Sequence, residues 1–140
     1  NAKFYILGMN KNPTKYKKRY LESKNIFFLG RVSKTKLRNI YLVATGMICL
    51  GYDETFCLNA LEANSCGLPV ITFGKTALNE LIKNNYNGFI VNDFNELSDK
   101  ILSFLKINSK NEKKIRSNSL SFSKKYHPNN VTYKWLKLLK

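Results

Sequence analysis

MICLGYDETFCLNALEANSCGLPVITF, residues 47–73, is the stretch on which the fold turns. It opens with a short apolar run, Met47–Leu50, and breaks at Gly51. A mostly apolar helical stretch follows from about Phe56 to Ser65, and Gly67 and Pro69 then lead into a second run, Val70–Phe73. Four apolar residues bounded by turn residues suit a strand buried on both faces, and a glycine just past the last helical residue suits a C-cap. Strand, helix and strand in so short a span make a βαβ unit, whose two strands must run parallel.

The same alternation extends in both directions. Upstream, Lys3–Leu7 closes at Gly8 and a polar loop, Asn10–Pro13, and a Lys-rich helix is expected from about Lys15 to Glu22. Ile26–Leu29 then ends at Gly30, and Ser33 can cap a helix over Lys36–Val43, where Leu37, Ile40 and Tyr41 recur at helical spacing. Downstream, a short helix carries Leu78, Leu81 and Ile82, and Asn87-Gly88 marks a tight turn into Phe89–Val91. Asp93 is placed to cap a helix with the stripe Leu97, Ile101, Leu102 and Leu105. Lys106 to Lys125 is polar and Lys-rich, and Val131, Trp135, Leu138 and Leu139 give a last helix one apolar face. The pattern predicts an α/β fold: a Rossmann-like, doubly wound, mostly parallel sheet of about five strands, with ligands beyond the carboxyl ends of the strands.

The 140 residues fit one domain, and 44% hydrophobic content supplies a core. No apolar run reaches the length of a membrane span. The chain starts at Asn1 and enters a strand pattern almost at once, which reads as a fragment of a longer protein. A net charge of +15 points first to anionic partners, but its distribution tempers that. Residues 1–52 hold eleven Lys/Arg and one acid, residues 53–105 three against seven, and residues 106–140 ten against one. A solvated Lys-rich surface is the preferred reading, with attraction to anionic lipid headgroups second. Aromatic residues sit inside apolar runs instead of alternating with the cations, so no nucleic acid partner is expected. Cys49, Cys57 and Cys66 match no zinc or dithiol motif, and a reducing cytoplasm is the simplest setting. Cys49 and Cys66 read as small core residues, and His127 as a polar residue before Pro128.

Chemistry concentrates between Leu50 and Ile71. Glu54 and Glu62 are eight positions apart, so helical geometry would set them about 80° apart on one side of the helix. The helix start near Thr55, Phe56, Cys57 and Leu58 offers backbone N–H groups and the positive end of the helix dipole, which suit a phosphate. Each carboxylate can accept two hydrogen bonds from a vicinal diol. The plainer alternatives are a first-turn acid serving the dipole for Glu54 and a surface pair with a lysine for Glu62.

Asp53-Glu54-Thr55-Phe56-Cys57-Leu58-Asn59-Ala60-Leu61-Glu62-Ala63 with Cys66-Gly67-Leu68-Pro69-Val70-Ile71 resembles the E-x7-E region of the group 1 glycosyltransferases, the GT4-like retaining enzymes of GT-B fold. Asn25–Val32 resembles that family's strand before the nucleotide base, and Glu80-Leu81-Ile82 with Asn87–Val91 its later pieces. The resemblance implies that Glu54 contacts hydroxyls of the transferred sugar and that Glu62 binds the ribose diol. It also implies that backbone groups of Thr55, Phe56, Cys57 and Leu58 meet sugar and diphosphate, and that Gly30, Arg31 and Val32 lie against the base.

Two departures stand out. Cys57 occupies a position where the family usually has glycine, and the family's diphosphate-neutralising Arg and Lys precede the equivalent of Lys3. By resemblance, residues 1–140 form a C-terminal donor-binding domain with 107–140 as a basic helical tail, lacking an N-terminal acceptor domain and inactive alone. The implied reaction is metal-independent, retaining hexosyl transfer from a nucleotide diphosphate sugar such as a UDP- or GDP-sugar. Surface polysaccharide or glycolipid synthesis is expected, in the cytoplasm or peripherally on the inner face of the membrane. The alternatives are a basic Rossmann-like module binding nucleic acid or a membrane surface, and a GT-B-related epimerase.

Overall fold

The computed structural model describes residues 2–8, 23–51, 55–74 and 77–139. Glu54 and the helix expected over Lys15–Glu22 lie outside these residues. The chain divides into two compact units, Asn1–Asn39 and Ile40–Lys140.

In the first unit β1 (Phe4–Leu7) pairs in parallel with β2 (Ile26–Gly30), Phe4 opposite Ile26 and Ile6 opposite Phe28. Tyr5 stacks on Phe27 with ring centroids 5.3 Å apart. Gly30 ends β2 at φ +62°, a conformation that favours glycine, although a Cβ there would meet nothing within 4 Å. Helix α1 (Lys34–Val43) begins as expected: the Lys36 N–H donates to the Ser33 hydroxyl at 3.3 Å.

The second unit contains β3 (Met47–Cys49), α2 (Leu58–Ser65), β4 (Val70–Phe73), α3 (Leu78–Leu81), β5 (Gly88–Val91), α4 (Phe94–Phe104), α5 (Ser109–Ser123), a 3-10 turn (Lys124–Tyr126) and α6 (Pro128–Leu138). Its sheet has the order β3-β4-β5, all parallel, with Ile48 opposite Ile71 and Ile71 opposite Phe89. Every residue of β4 is buried, as a central parallel strand covered on both faces requires. The five expected strands are therefore present, parallel within a hydrogen-bonded pair and within a hydrogen-bonded triplet.

The core joins Ile71 and Phe73 of β4, Phe89 and Val91 of β5, Leu97 and Phe104 of α4, and Ile115 of α5. The Phe89 and Phe104 rings meet edge to face at 5.3 Å. Asp93 caps α4, accepting from the Glu96 N–H at 2.8 Å, while Glu96 reaches back to the Asn92 N–H at 2.8 Å. The inward stripe of α4 differs from the sequence reading: Leu102 and Leu105 are exposed, and Phe104 takes the buried place.

Residues 106–125 hold more structure than their polarity suggests. Helix α5 spans them and packs on α2, burying Ile115, Ser119 and Phe122. Ser119 is admitted to the interior because its hydroxyl donates to the Asn87 and Ile115 carbonyls at 3.1 and 3.0 Å. Asn87 is fully buried, donates to Asn64 Oδ1 at 2.6 Å and to the Leu81 carbonyl at 2.8 Å, and accepts from the Lys83 N–H at 2.7 Å. Arg116 is held by Glu112 at 2.9 Å and donates to the carbonyls of Ala44 and Gly67, just past α1 and α2. These bonds weld a helix from the end of the chain to loops 49 and 72 residues earlier.

The last helix, α6, has no buried residue, and Trp135, Leu136, Leu138 and Leu139 are all largely exposed. His127 caps it, its Nδ1 accepting from the Asn129 N–H at 3.4 Å. Among the described residues no helix is long and apolar enough to cross a membrane.

Candidate functional site

The carboxyl end of β3 and the start of α2 supply the candidate site. Leu50 and Gly51 follow the strand, half-buried, and Thr55 resumes the described chain, exposed. Phe56 is half-buried and meets the Tyr126 ring edge-on at 5.8 Å, which anchors the turn to the end of α5. Cys57 is the N-cap of α2, and its φ of 53° and ψ of 66° place it in the left-handed region. A residue with a Cβ bears a cost of about 1–2 kcal/mol there, and glycine does not. The position thus has the backbone conformation of a glycine although it carries a thiol, which is buried.

This conformation aims the chain abruptly into α2. The Cys57 side chain makes no capping hydrogen bond, and its carbonyl accepts the Ala60 N–H at 3.0 Å. The first-turn N–H groups point out of the helix end, where an anion finds both donors and the positive end of the dipole. Thr55, Phe56, Cys57, Leu58 and Asn59 line a hollow of about 320 Å³ at that end. Four of these five are the residues expected from the sequence to meet sugar and diphosphate; Asn59 is the addition.

Glu62 stands one turn further along α2. Leu58, Asn59, Glu62 and Ser65 form the exposed stripe of the helix, and Ala60, Ala63 and Asn64 the buried one. Residues three and four apart share a face, so Glu62 follows Asn59 and Leu58 on the side that carries the hollow. Its carboxylate makes no hydrogen bond or ion pair among the described residues, which removes the surface lysine pair considered from sequence. It is exposed, and small Ala60 and Ala63 face inward.

Tyr41 was read from sequence only as an apolar position of α1, and it belongs to the surroundings of this site. It is buried, and burial pushes its phenol up to about 12, with the charges of Glu62, Cys66, Cys57 and Cys49 adding to the effect. Tyr41 therefore stays a neutral hydroxyl beneath α2 at any ordinary pH. Cys49 and Cys57 bring their sulfurs to 3.3 Å across the turn, and Cys66 lies at the other end of the helix.

Gly30, Arg31 and Val32 stand at the carboxyl end of β2 in the first unit, with Arg31 exposed and Val32 half-buried. Glu80 is exposed on α3, and its charge adds to burial in raising the Tyr126 phenol above its ordinary range. Among the described residues no three His, Cys, Asp or Glu side chains cluster in a way that could hold a metal ion.

Comparison with known proteins bears on the whole of this arrangement. The family described as glycosyl transferases group 1 matches residues 1–121. Over 104 residues the chain is 30% identical to an uncharacterized glycosyltransferase of Methanocaldococcus jannaschii, covering 73% of this chain and 29% of that protein. Over 113 residues it is 26% identical to the alpha-galactosylglucosyldiacylglycerol synthase of Streptococcus pneumoniae, covering 81% of this chain and again 29% of the relative. The chain thus spans less than a third of the length of the curated relatives it matches.

Among solved structures, S. aureus TarM, crystallised with fondaparinux, alpha-GlcNAc-glycerol and UDP, superposes with a TM-score of 0.84 at 24% identity over 97% of this chain and 28% of its own. The C-terminal domain of a group 1 glycosyl transferase from Francisella tularensis superposes at 0.67 with 26% identity, covering 81% of this chain and 60% of that one. Anabaena HepE in complex with UDP and glucose gives 0.74 at 19% identity over 86% of this chain and 35% of its own, a likeness of fold.

Proposed function

Because the chain belongs to the group 1 glycosyltransferases, we propose that it is the donor-binding part of a longer enzyme that transfers a sugar from a nucleotide diphosphate to a hydroxyl acceptor. One observation carries the reading: a hollow lined by Thr55–Asn59 opens at the N-terminus of α2, and Glu62, exposed and without an ion pair among the described residues, follows on the same face. In this proposal the first-turn N–H groups of α2 hold the diphosphate. Glu62 accepts both hydroxyls of the ribose, a contact that an existing lysine partner would have blocked. Glu54 contacts hydroxyls of the transferred sugar, and Gly30, Arg31 and Val32 lie against the base. Fixed N–H dipoles stabilise the departing diphosphate without rearranging as its charge develops. The proposed outcome at the anomeric carbon is retention and the donor a hexose, with glycolipid or surface polysaccharide as product. The proposed acceptor-binding domain lies elsewhere in the longer protein.

Calorimetric titration with UDP, GDP and their sugars tests this reading. We expect one nucleoside diphosphate to bind with the same affinity in EDTA as in magnesium. Glu62→Ala should weaken it by about 1.5–3 kcal/mol, the worth of a hydrogen bond to a charged group, with the fold intact by circular dichroism. Glu54→Ala in the longer enzyme should abolish turnover and spare nucleotide affinity. A folded Glu62→Ala that binds as tightly as the parent removes the ribose contact. Binding to DNA with a steep salt dependence and to no nucleotide would replace the transferase by a basic module.

A further inference from the structure

We infer that Cys49 and Cys57 form a redox modification site: hydrogen peroxide converts the two thiols to an intramolecular disulfide, and a dithiol reductant restores them. Their sulfurs lie 3.3 Å apart, one at the end of β3 and the other at the N-cap of α2. A disulfide needs a separation of about 2.05 Å, so the closure required is little more than an ångström and side-chain rotation covers most of it. Cys66 terminates α2 at its far end.

The backbone of Cys57 adds a second argument. Glycine would hold its left-handed conformation at lower cost, and the thiol placed there is directed inward onto Cys49. Packing alone does not single out a cysteine at such a position, since any Cβ meets the same backbone strain. The sulfur of Cys49, the less buried of the two, attacks peroxide; an S–O bond forms, the O–O bond breaks and water leaves. The sulfur of Cys57 then displaces the oxygen, forming S–S and releasing a second water, so that two thiols and one peroxide give a disulfide and two waters. Two electrons pass from sulfur to the peroxide oxygens. The ring so closed runs from residue 49 to residue 57 and includes Glu54. Reversible cross-links of this kind are the usual form of disulfide in reducing compartments.

The experiment exposes the native protein to peroxide, denatures it, alkylates the remaining thiols and maps the peptides. The expected product has lost two hydrogens, links the peptides of Cys49 and Cys57, keeps Cys66 alkylated and regains all three alkylations after dithiothreitol. Cys66→Ser should give the same cross-link and Cys49→Ser none. Three alkylated cysteines after peroxide, or a cross-link that includes Cys66 or joins two chains, would overturn the proposal. The wild-type peptide map decides the matter even if a variant fails to fold.

Discussion

At the residue scale, two glycines that look alike in sequence are required for different reasons. Gly88 follows Asn87 and was expected to serve a tight turn, yet the left-handed residue of that turn is Asn85, at φ 61°. Gly88 is needed because β5 passes so close to β4 that a Cβ would sit on the Val70 carbonyl oxygen, at 2.2 Å. Gly30 has open space around it and only its backbone angle to satisfy. Gly30→Ala should therefore cost about 1 kcal/mol in urea unfolding. Gly88→Ala should prevent the strands from pairing and leave no cooperative transition. A cooperative Gly88→Ala with the parent's midpoint would mean that β4 and β5 are further apart than described.

Tyr41 supplies a pH test at the same scale. Its phenol is held up to about 12 in the folded chain, against 10.0 when free. Below pH 10 both states keep the proton and the group's full contribution is present. As pH rises from 10 towards 12 the unfolded chain ionises first, so stability falls. Tyr41→Phe removes that linkage, and its melting temperature should decline less than the parent's between pH 9 and pH 11. Parallel alkaline slopes would show that the phenol is not desolvated. Glu62 was legible as a site candidate because two acids flank an apolar helix start; Tyr41 was not, because an i, i+3, i+4 stripe gives no sign of which member sits beneath a carboxylate.

At the element scale, what could be read from sequence depended on how each element reaches the interior. The strands of the second unit are short and largely apolar, and the sequence places each to within a residue or two. Ser33 and Asp93 announced the starts of α1 and α4 by the chemistry of their caps. Helix α5 gave no such sign, because the stripe it buries reads Ile115, Ser119, Phe122, with a hydroxyl in the middle. That serine counts as polar until its partner is known, and the partner is the carbonyl of Asn87, 32 residues away. Asn87→Ala would leave Asn64 Oδ1 and the Lys83 N–H without their bonds inside the protein, at a cost of about 1–3 kcal/mol for each stranded group. We expect a loss of at least 3 kcal/mol by chemical denaturation, and a loss below 1 kcal/mol would mean that water replaces the side chain.

For the whole molecule, among the described residues the cations are mostly surface groups, and Arg116 works inside the fold. The apolar face of α6 was equally visible in the sequence, since Val131, Trp135, Leu138 and Leu139 recur at helical spacing. What covers it does not follow from a periodicity. Leu138 and Leu139 are nearly four-fifths exposed, and a contiguous apolar surface of this kind favours association. Sedimentation at rising protein concentration should show self-association that Trp135→Glu together with Leu138→Glu abolishes. A strictly monomeric parent would show that the face is too small to act alone.

The bonds made by α5 have a bearing on biogenesis. Ala44, Gly67 and Asn87 each wait for a donor that lies between 32 and 72 residues further along the chain. While a ribosome is still adding those residues, the parallel strands already made have neither their covering helix nor the guanidinium that ties the earlier loops together. The second unit therefore cannot lock as it emerges. It closes once α5 is free of the exit tunnel, and until then its apolar strands stay exposed to aggregation unless a holding chaperone covers them.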